Sequence, residues 1–433
     1  MNQFTFTGRE RMVLIGFMIL GVLCMAATYL WGDPTFQVMD HDTHKMVDVE
    51  SHHMRFWSNF LQNSVYFIGM AFVAMFGYCA FITAYGGWFS GMKRLWEAYA
   101  LWMGPGLIMM AILVAGVWGH WHHLYHWNAE GVTDINHSHY DEIIAGKAPF
   151  LNATWYTISA IVFVAVWYFL TLKIRSISVA EDNADVGDYS FHGRARNWMA
   201  AYLPFVAFTS AIFIWQLMMS IDAHWYSTMY AWNATASFFV GMLSLTVLML
   251  IYLKSRGYYP HVTENHMHDI GKFLFGFSVF WTYTWFSQYM LIWYSNNGEE
   301  TVYFLTRRDQ YPILFYGNLI INFALPFLIL IRNSSKRKFG TIGLVAAITF
   351  FGHWFDMFYM IKPGSLINIA GSQEAATELG SVAGYWFPGL LELGTFLGFT
   401  ALFIYFTFSK LSEASLVPEK DPYYGESVTH HVI

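Results

Sequence analysis

The sequence alternates between long apolar stretches and short polar segments, and this pattern is the strongest structural signal in the chain. A transmembrane α-helix needs about 20 mostly apolar residues, and ten stretches are suitable. They cover approximately residues 13–31, 59–84, 95–118, 150–172, 199–220, 233–253, 271–294, 312–331, 341–361 and 386–408. The pattern predicts an all-α, polytopic membrane protein with about ten transmembrane helices.

The first apolar stretch follows Arg9 and Arg11, as the apolar part of a secretory signal peptide would. The stretch ends at Leu30, Trp31 and Gly32, which make a poor cleavage site because signal peptidase requires small residues. We therefore expect an uncleaved helix.

Composition strengthens the membrane prediction and excludes other classes. Only 12% of the 433 residues are charged and 56% are hydrophobic, whereas soluble domains carry about 25% charged residues. This hydrophobicity excludes a disordered chain, and the net charge of −6 argues against nucleic-acid binding. Two cysteines cannot supply a disulfide framework, a four-thiolate iron–sulfur site or a Cys-x-x-Cys-His haem attachment.

The basic residues predict the orientation, since cytoplasmic loops are enriched in lysine and arginine. Six of the 23 basic residues fall on one side of the predicted helices, and the other 17 fall on the side that holds both termini. The six are Lys45, Arg55, Lys147, Arg307, Arg308 and Lys362. We therefore expect both termini in the cytoplasm.

The histidines are biased towards the predicted outer loops. Loop 32–58 contains His41, His44, His52 and His53, and loop 119–149 contains His120, His122, His123, His126, His137 and His139. On a helix, His122 and His123 would each share a face with His126, so zinc or copper could bind with a third ligand from residues 41–53. The alternative is an interfacial loop that contacts a partner protein. We assign no metal ligand from the sequence.

A repeated sequence motif suggests that the chain contains two repeated structural units. His224-Trp225 and His353-Trp354 lie four predicted helices apart, with Asp222 and Asp356 beside them. This repetition favours two four-helix bundles with one flanking helix at each end. The corresponding ranges are 1–58 for the first helix and outer loop, 59–220 and 221–361 for the bundles, and 362–433 for the last helix and tail. The alternative is that His and Trp both prefer the membrane interface.

A few ionisable residues are predicted at membrane depth, where charge is costly and often functional. His353, Asp356 and Tyr359 share one face of the ninth helix by their i, i+3 spacing. We expect Glu392 about two turns inside the tenth helix, and Asp222 and His224 at the outer end of the fifth. These six residues are candidates for a proton path. The alternative is interhelical hydrogen bonding that only holds helices together.

Four further expectations concern the remaining polar residues and the helix interruptions. Glu97 and Lys272 should extend to the inner interface, the acidic run at 181–188 should be a solvated linker, and the tail after Lys410 should remain unfolded. Gly104-Pro105-Gly106 and Pro326 should interrupt the third and eighth helices. Because only His353 is deep, a bis-histidine haem site is not expected, and the sequence offers no intrinsic redox cofactor.

Two segments resemble a known family. Residues 219–230 (MSIDAHWYSTMY) and 352–357 (GHWFDM) are similar to the NrfD-like integral membrane subunits of bacterial alternative complex III, in particular the ActF group. The resemblance implies ten spans, cytoplasmic termini and two four-helix bundles. It also implies membership of a quinol:cytochrome c, or other acceptor, oxidoreductase, in which Asp222, His224, His353 and Asp356 are candidate proton-path residues.

The same resemblance implies partners. These are a sister NrfD-like subunit thought to hold the quinol site, an iron–sulfur subunit, and multihaem and monohaem cytochrome c subunits, with a terminal oxidase left open. Menaquinol and phospholipids are left open as surface ligands. Two other functional classes also remain open, namely a proton-coupled secondary transporter that uses His353 and Asp356, and a purely structural membrane scaffold.

Overall fold

A computed structural model describes residues 3–32, 36–39, 46–49, 52–185, 187–378 and 382–432. Most of these residues are helical, as the apolar stretches predict. The first helices are α1 Gly8–Trp31, α2 Met54–Thr83, α3 Lys93–Ala100, α4 Met103–Trp118, α5 Glu142–Lys147, α6 Ala153–Thr157, α7 Val164–Ala180, α8 Ser190–Leu217 and α9 Thr228–Ser255. The remaining helices are α10 Glu264–Ser295, α11 Gly298–Gln310, α12 Pro312–Leu319, α13 Leu325–Leu330, α14 Asn333–Arg337, α15 Phe339–Ala370, α16 Gln373–Glu378, α17 Leu390–Leu411 and α18 Tyr424–Val428.

Some helices are interrupted where the sequence contains glycine or proline. The third predicted span consists of a 3₁₀-helix Gly87–Met92 followed by α3 and α4, with a break just before Gly104. In the eighth span a π-helix Ile320–Ala324 joins α12 to α13, and Pro326 lies in the first turn of α13. A second π-helix, Ile158–Phe163, joins α6 to α7. The break in the third span thus precedes the predicted Gly104-Pro105-Gly106, which lies inside α4, and the eighth span changes to a π-helix just before Pro326 without leaving the helix.

Nine helical stretches within the described residues are long and apolar enough to cross a membrane. They are Gly8–Trp31, Met54–Thr83, Gly87–Trp118, Ala153–Asn183, Ser190–Ile221, Thr228–Ser255, Pro312–Leu330, Phe339–Ala370 and Leu390–Leu411. Each coincides with a predicted span, so the chain is a helical, multi-pass membrane protein. The remaining predicted span, 271–294, lies inside the 32-residue helix α10, whose polar first turns and many Trp and Tyr residues lower its hydropathy.

One element falls outside the all-helical expectation. Strands β1 Phe36–Met39 and β2 Met46–Val49 form a two-stranded antiparallel sheet, with Phe36 opposite Val49 and Met39 opposite Met46. The sheet lies in the first long loop, and residues 40–45 between its strands, which include His41, His44 and Lys45, are outside the described residues.

Among the nine apolar stretches, α2, α9 and α15 are the most buried, and they pack against one another. Around α2 lie α3, α4 and α8, and α7 contacts both α4 and α8. Around α9 and α15 lie α10, α12 and α13. The first helix, α1, packs along α17, where Gly21 and Gly398 lie so close that a Cβ atom on either would come within about 2.5 Å of the other's Cα.

The two ends of the molecule are formed by different parts of the chain. Both chain ends lie together at what we call the terminal face, where Thr5 N donates to Tyr258 at 3.1 Å and His430 lies 2.7 Å from Asp269. We call the opposite end the histidine face, which holds residues 119–152, 218–227 and 296–311.

Candidate functional site

Asp356 and His353 lie on one face of α15 and are fully buried, as predicted. The hydroxyl of Ser237 in α9 donates a hydrogen bond to the Asp356 carboxylate, and its oxygen lies 3.0 Å from Nδ1 of His353. Trp281 in α10 donates to the carboxylate at 2.9 Å, and Asn318 in α12 donates at 2.5 Å. Asp356 therefore accepts from three helices, and no salt bridge to it occurs within the described residues.

The π-helix in the eighth span extends this network. Its Asn322 donates to the side-chain oxygen of Asn318 at 2.5 Å and to the carbonyl of Gly352 at 2.9 Å. A Cβ atom at Gly352 would lie 2.2 Å from Asn322 Oδ1, so the close approach requires glycine. Asn322 Oδ1 and His353 Nε2 are buried without a hydrogen-bond partner among the described residues. Buried polar atoms normally have a hydrogen-bond partner, which an ordered water molecule or an exchanging proton would supply here.

Tyr359 lies one turn beyond Asp356 but does not bind it. Its hydroxyl lies near Trp285 of α10, and its carbonyl accepts from Nε of Arg307 at 3.4 Å. Arg307, in α11, is fully buried and forms a 2.9 Å salt bridge with Asp222. Its guanidinium also lies 3.5 Å from the ring centroid of Tyr303. Along α15, Tyr359 thus separates the Asp356 network from the Asp222–Arg307 pair.

Arg307 lies between α10 and α12 on the histidine face, but its side chain is buried rather than exposed. The segment before α12 folds as helix α11 and turns Arg307 inward, where Asp222 neutralises its charge. The next residue, Arg308, faces outward and pairs with exposed Asp309. Sequence counting could not separate these adjacent arginines, because both lie in one polar segment.

A cavity of about 510 Å³ lies on the histidine face above this pair. Its lining includes Asp222, Arg307, His126, His224 and Gly364. A Cβ atom at Gly364 would come within 2.9 Å of the Asp222 carboxylate, so glycine leaves room for that side chain. The cavity therefore connects exposed His224 and half-buried His126 with the Asp222–Arg307 ion pair.

His224 does not join Asp222, although the two are close in sequence. Nε2 of His224 instead lies 2.6 Å from Oδ2 of Asp141, the N-cap residue of α5. Partial burial alone would raise the pKa of Asp141, but the hydrogen bond with His224 and the backbone N–H groups of Ile143 and Ile144 lower that pKa. Asp222 and His224, both expected at the outer end of the fifth helix, therefore make separate contacts, with Arg307 and with Asp141.

Glu392 lies in the first turn of α17 rather than two turns inside, because α17 begins at Leu390. Arg55 donates to both carboxylate oxygens at 2.8 and 3.0 Å, and Asn59 donates at 3.2 Å. Nearby, Lys362 donates to Ser58 at 2.7 Å. These contacts join the ends of α2, α15 and α17.

Arg55 and Lys362 were predicted to lie outside the membrane spans on the outer side, but both are buried within helices. The helix α15 runs to Ala370 rather than to residue 361, and α2 begins at Met54 rather than at residue 59. The extra turns bring the two basic residues inside the protein, where a buried charge requires a partner.

The acidic and basic residues of the terminal face form a second buried cluster. Lys93 contacts Glu181 at 2.9 Å and Asp421 at 2.5 Å. Arg94 contacts Glu97 at 2.8 Å and Asp182 at 2.7 Å. Burial alone would raise the pKa of Asp421, but the charge of Lys93 lowers it.

This cluster overturns three expectations. Glu97 is fully buried rather than extended to the interface, although Lys272, half-exposed beside Asp269, fits the prediction. The start of the acidic run at 181–188 belongs to the cluster and is not a solvated linker. The tail after Lys410 is folded, since it contributes Asp421 and α18 to the terminal face.

The histidines of segment 120–126 do not share a helical face, because that segment contains no α-helix. His122 is buried against Trp57, and His123 lies with its ring centroid 4.2 Å from that of His52. His126 points towards Asp141 and His224. The predicted third ligand from residues 41–53 falls largely outside the described residues. The helical ligand arrangement that a metal site in this segment would require is therefore absent from the described residues.

Sequence reasoning missed several residues of the network around Asp356. Asn318 and Asn322 carried a usable signal, since two asparagines at i, i+4 in an apolar stretch predict a shared polar contact. Ser237 carried none, because serine is common in membrane helices.

Comparison of the chain with models of known protein families gives no match, and comparison with curated proteins gives none either.

Proposed function

We propose that this chain is a membrane subunit of a quinol:acceptor oxidoreductase, an alternative complex III, and corresponds to its ActF subunit. In this role it supports proton transfer and assembly, and partner subunits supply the haem and iron–sulfur centres. The observation that supports the proposal most is the buried Asp356 network, which lies beyond the Asp222–Arg307 pair of a cavity on the histidine face. The resemblance of residues 219–230 and 352–357 supplies the family.

The order of these groups favours proton exchange with one side of the membrane. A proton from the cavity would reach Asp222, pass the Tyr359 hydroxyl and arrive at Asp356, with Ser237 linking the carboxylate to His353. Each of these oxygens and nitrogens can both accept and release a proton. Arg307 would stay charged and bias the potential near Tyr359.

Several polar contacts of neutral groups lie between the Asp356 network and the buried charged cluster of the terminal face. Ser244 and Thr349 lie 2.8 Å apart, Trp96 donates to Thr246 at 2.9 Å, and Tyr66 donates to the Phe350 carbonyl at 2.8 Å. Hydroxyl groups alone make a poor proton store, because their pKa values lie far from neutrality. The proposed path is therefore a half-channel open on the histidine face.

The proposal includes the topology and location. Ten helices would cross the bacterial inner membrane with both termini in the cytoplasm, α10 being the additional crossing. Two four-helix bundles, flanked by α1 and α17, agree with the contacts of α2, α4, α7 and α8 and with those of α9, α10, α12 and α15. Burial of Arg55, Arg307 and Lys362 leaves fewer basic residues exposed on the histidine face, which supports this orientation.

Partners follow from the same proposal. The iron–sulfur and cytochrome c subunits would cover the histidine face, and the sister NrfD-like subunit, with its quinol site, would lie beside the chain. An apolar groove of about 360 Å³ between α2, α8, α9 and α10 suits a phospholipid chain or the tail of menaquinol. A terminal oxidase remains a further candidate partner.

The test is substitution Asp356→Asn in the assembled complex. Quinol oxidation coupled to proton release should fall, while the subunit composition stays that of the wild type, because asparagine keeps the size but cannot cycle a proton. The matched control is Asp309→Asn. Asp309 is an exposed carboxylate on the histidine face, so this substitution should leave both readouts unchanged. Wild-type turnover and proton release in the Asp356 variant would refute the proton role.

A proton-coupled transporter is the second candidate. Interruptions of the third span at residues 101–102 and of the eighth span at the π-helix resemble the broken helices of transporter sites. Purification in mild detergent separates the two proposals. A transporter should elute alone or as a homo-oligomer, whereas the first proposal requires stoichiometric cytochromes and quinol oxidation.

A further inference from the structure

Three side chains converge on the histidine face outside the proposed proton path. They come from separate segments, namely His126 from the 3₁₀-helix His126–Asn128, Asp141 from the N-cap of α5, and His224 from the connection between α8 and α9. One ligand atom from each lies within 4.8 Å of the others. The carboxylate Oδ2 is 2.6 Å from Nε2 of His224 and 3.8 Å from Nε2 of His126.

The local fold orients these groups before any ligand binds. Oδ1 of Asp141 accepts from the backbone N–H groups of Ile143 and Ile144 at 3.0 and 3.1 Å, which directs Oδ2 towards the two imidazoles. Lys147, at the end of α5, donates to the carbonyls of Ala223 and His224 at 2.8 and 3.0 Å. The segment that carries His224 is thereby fastened to the helix that Asp141 caps.

We propose that His126, Asp141 and His224 form a binding site for a divalent transition-metal ion, with Zn²⁺ as the best fit. Two imidazole nitrogens and one carboxylate oxygen are a common zinc ligand set that leaves a coordination position for water. Ca²⁺ and Mg²⁺ prefer oxygen ligands, and Cu⁺ prefers thiolates and thioethers, so this set disfavours them.

The distances require only small side-chain movements. Tetrahedral zinc with bonds of about 2.0–2.2 Å holds its ligand atoms roughly 3.4 Å apart. The Asp141–His224 contact would open from 2.6 Å, and the Asp141–His126 contact would shorten from 3.8 Å. The ion would replace the hydrogen bond between His224 and Asp141 and join three segments at the edge of the cavity.

The test uses the full-length chain in mild detergent, freed of metal with EDTA and purified without a histidine tag. Titration calorimetry with ZnCl₂ should detect one ion per chain at this site. His126→Gln, His224→Gln and Asp141→Asn should each weaken the affinity by about tenfold or more. Asparagine can still cap α5, so the third variant keeps the local fold.

The matched control is His137→Gln, an exposed histidine in the same loop, which should bind Zn²⁺ as the wild type does. If one variant fails to fold, as judged by elution volume and circular dichroism, loss of the Zn²⁺-induced rise in Tm in the other two supports the site. Wild-type affinity in all folded variants, or no binding by the wild type up to about 1 mM Zn²⁺, would overturn it.

Discussion

The ammonium group of Lys93 lies 2.5 Å from the carboxylate of Asp421, a residue 328 positions later in the chain. Lys93 also contacts Glu181, and all three side chains are buried. The contact fixes the C-terminal tail to the start of the third span. A polar tail that looks unstructured in sequence is thus part of the folded terminal face.

Substitution Asp421→Ala should destabilise the protein by about 3 kcal/mol, since losing one partner leaves a buried charge incompletely paired. The measurement is Tm of the purified chain in detergent. Glu413→Ala is the control, because Glu413 forms an exposed pair with Lys410, worth less than about 1 kcal/mol. Equal Tm values for the two variants would contradict a structural role for the tail.

Arg307→Met should cost about 3–5 kcal/mol, because it leaves Asp222 without its buried cation. The adjacent substitution Arg308→Met is the matched control and should change the stability by less than about 1 kcal/mol, since Arg308 pairs with exposed Asp309. Denaturant unfolding in detergent measures both. A larger loss for Arg308 than for Arg307 would mean that the inward and outward assignments are reversed.

His122 should make stability depend on pH below neutrality. Burial lowers its pKa from 6.5 to about 4, so below pH 6.5 the unfolded chain binds a proton that the folded chain does not. The stability contribution is full above pH 6.5 and is lost as pH falls to 4, by up to about 3 kcal/mol. Tm measured from pH 7.5 to 4 should fall less steeply in His122→Gln, while His137→Gln should follow the wild type.

The contact between α1 and α17 depends on glycine. Gly398→Leu should destabilise the protein by about 1–3 kcal/mol, because a side chain there meets the backbone of Gly21 and forces the helices apart. Gly16→Leu is the control in α1, since a Cβ atom at Gly16 meets nothing within 4 Å. Tm in detergent distinguishes the two, and an unchanged Tm for Gly398→Leu would exclude the close contact.

The deep candidates show how far sequence reasoning extended. His353 and Asp356 were identified because they are ionisable residues near the middle of an apolar stretch, and an error in the helix boundaries does not change that position. Glu392, Arg55 and Lys362 were misplaced because their depth depends on where a helix begins or ends, and boundaries carry errors of about two to four residues. Their mutual contacts were invisible, since Arg55 and Glu392 are separated by 337 positions.

The nine stretches of the described residues that could cross a membrane followed from hydropathy, because burying the backbone in lipid demands long apolar helices. Only the packing of the helices determines which charged side chains are exposed to water and which form buried ion pairs. Arg307 and Arg308 are chemically identical neighbours, yet the turn of α11 buries one against Asp222 and exposes the other. Likewise, His126, Asp141 and His224 become neighbours only when three separate segments meet on the histidine face. Such long-range contacts depend on the relative positions of whole helices, which no local pattern of residues encodes.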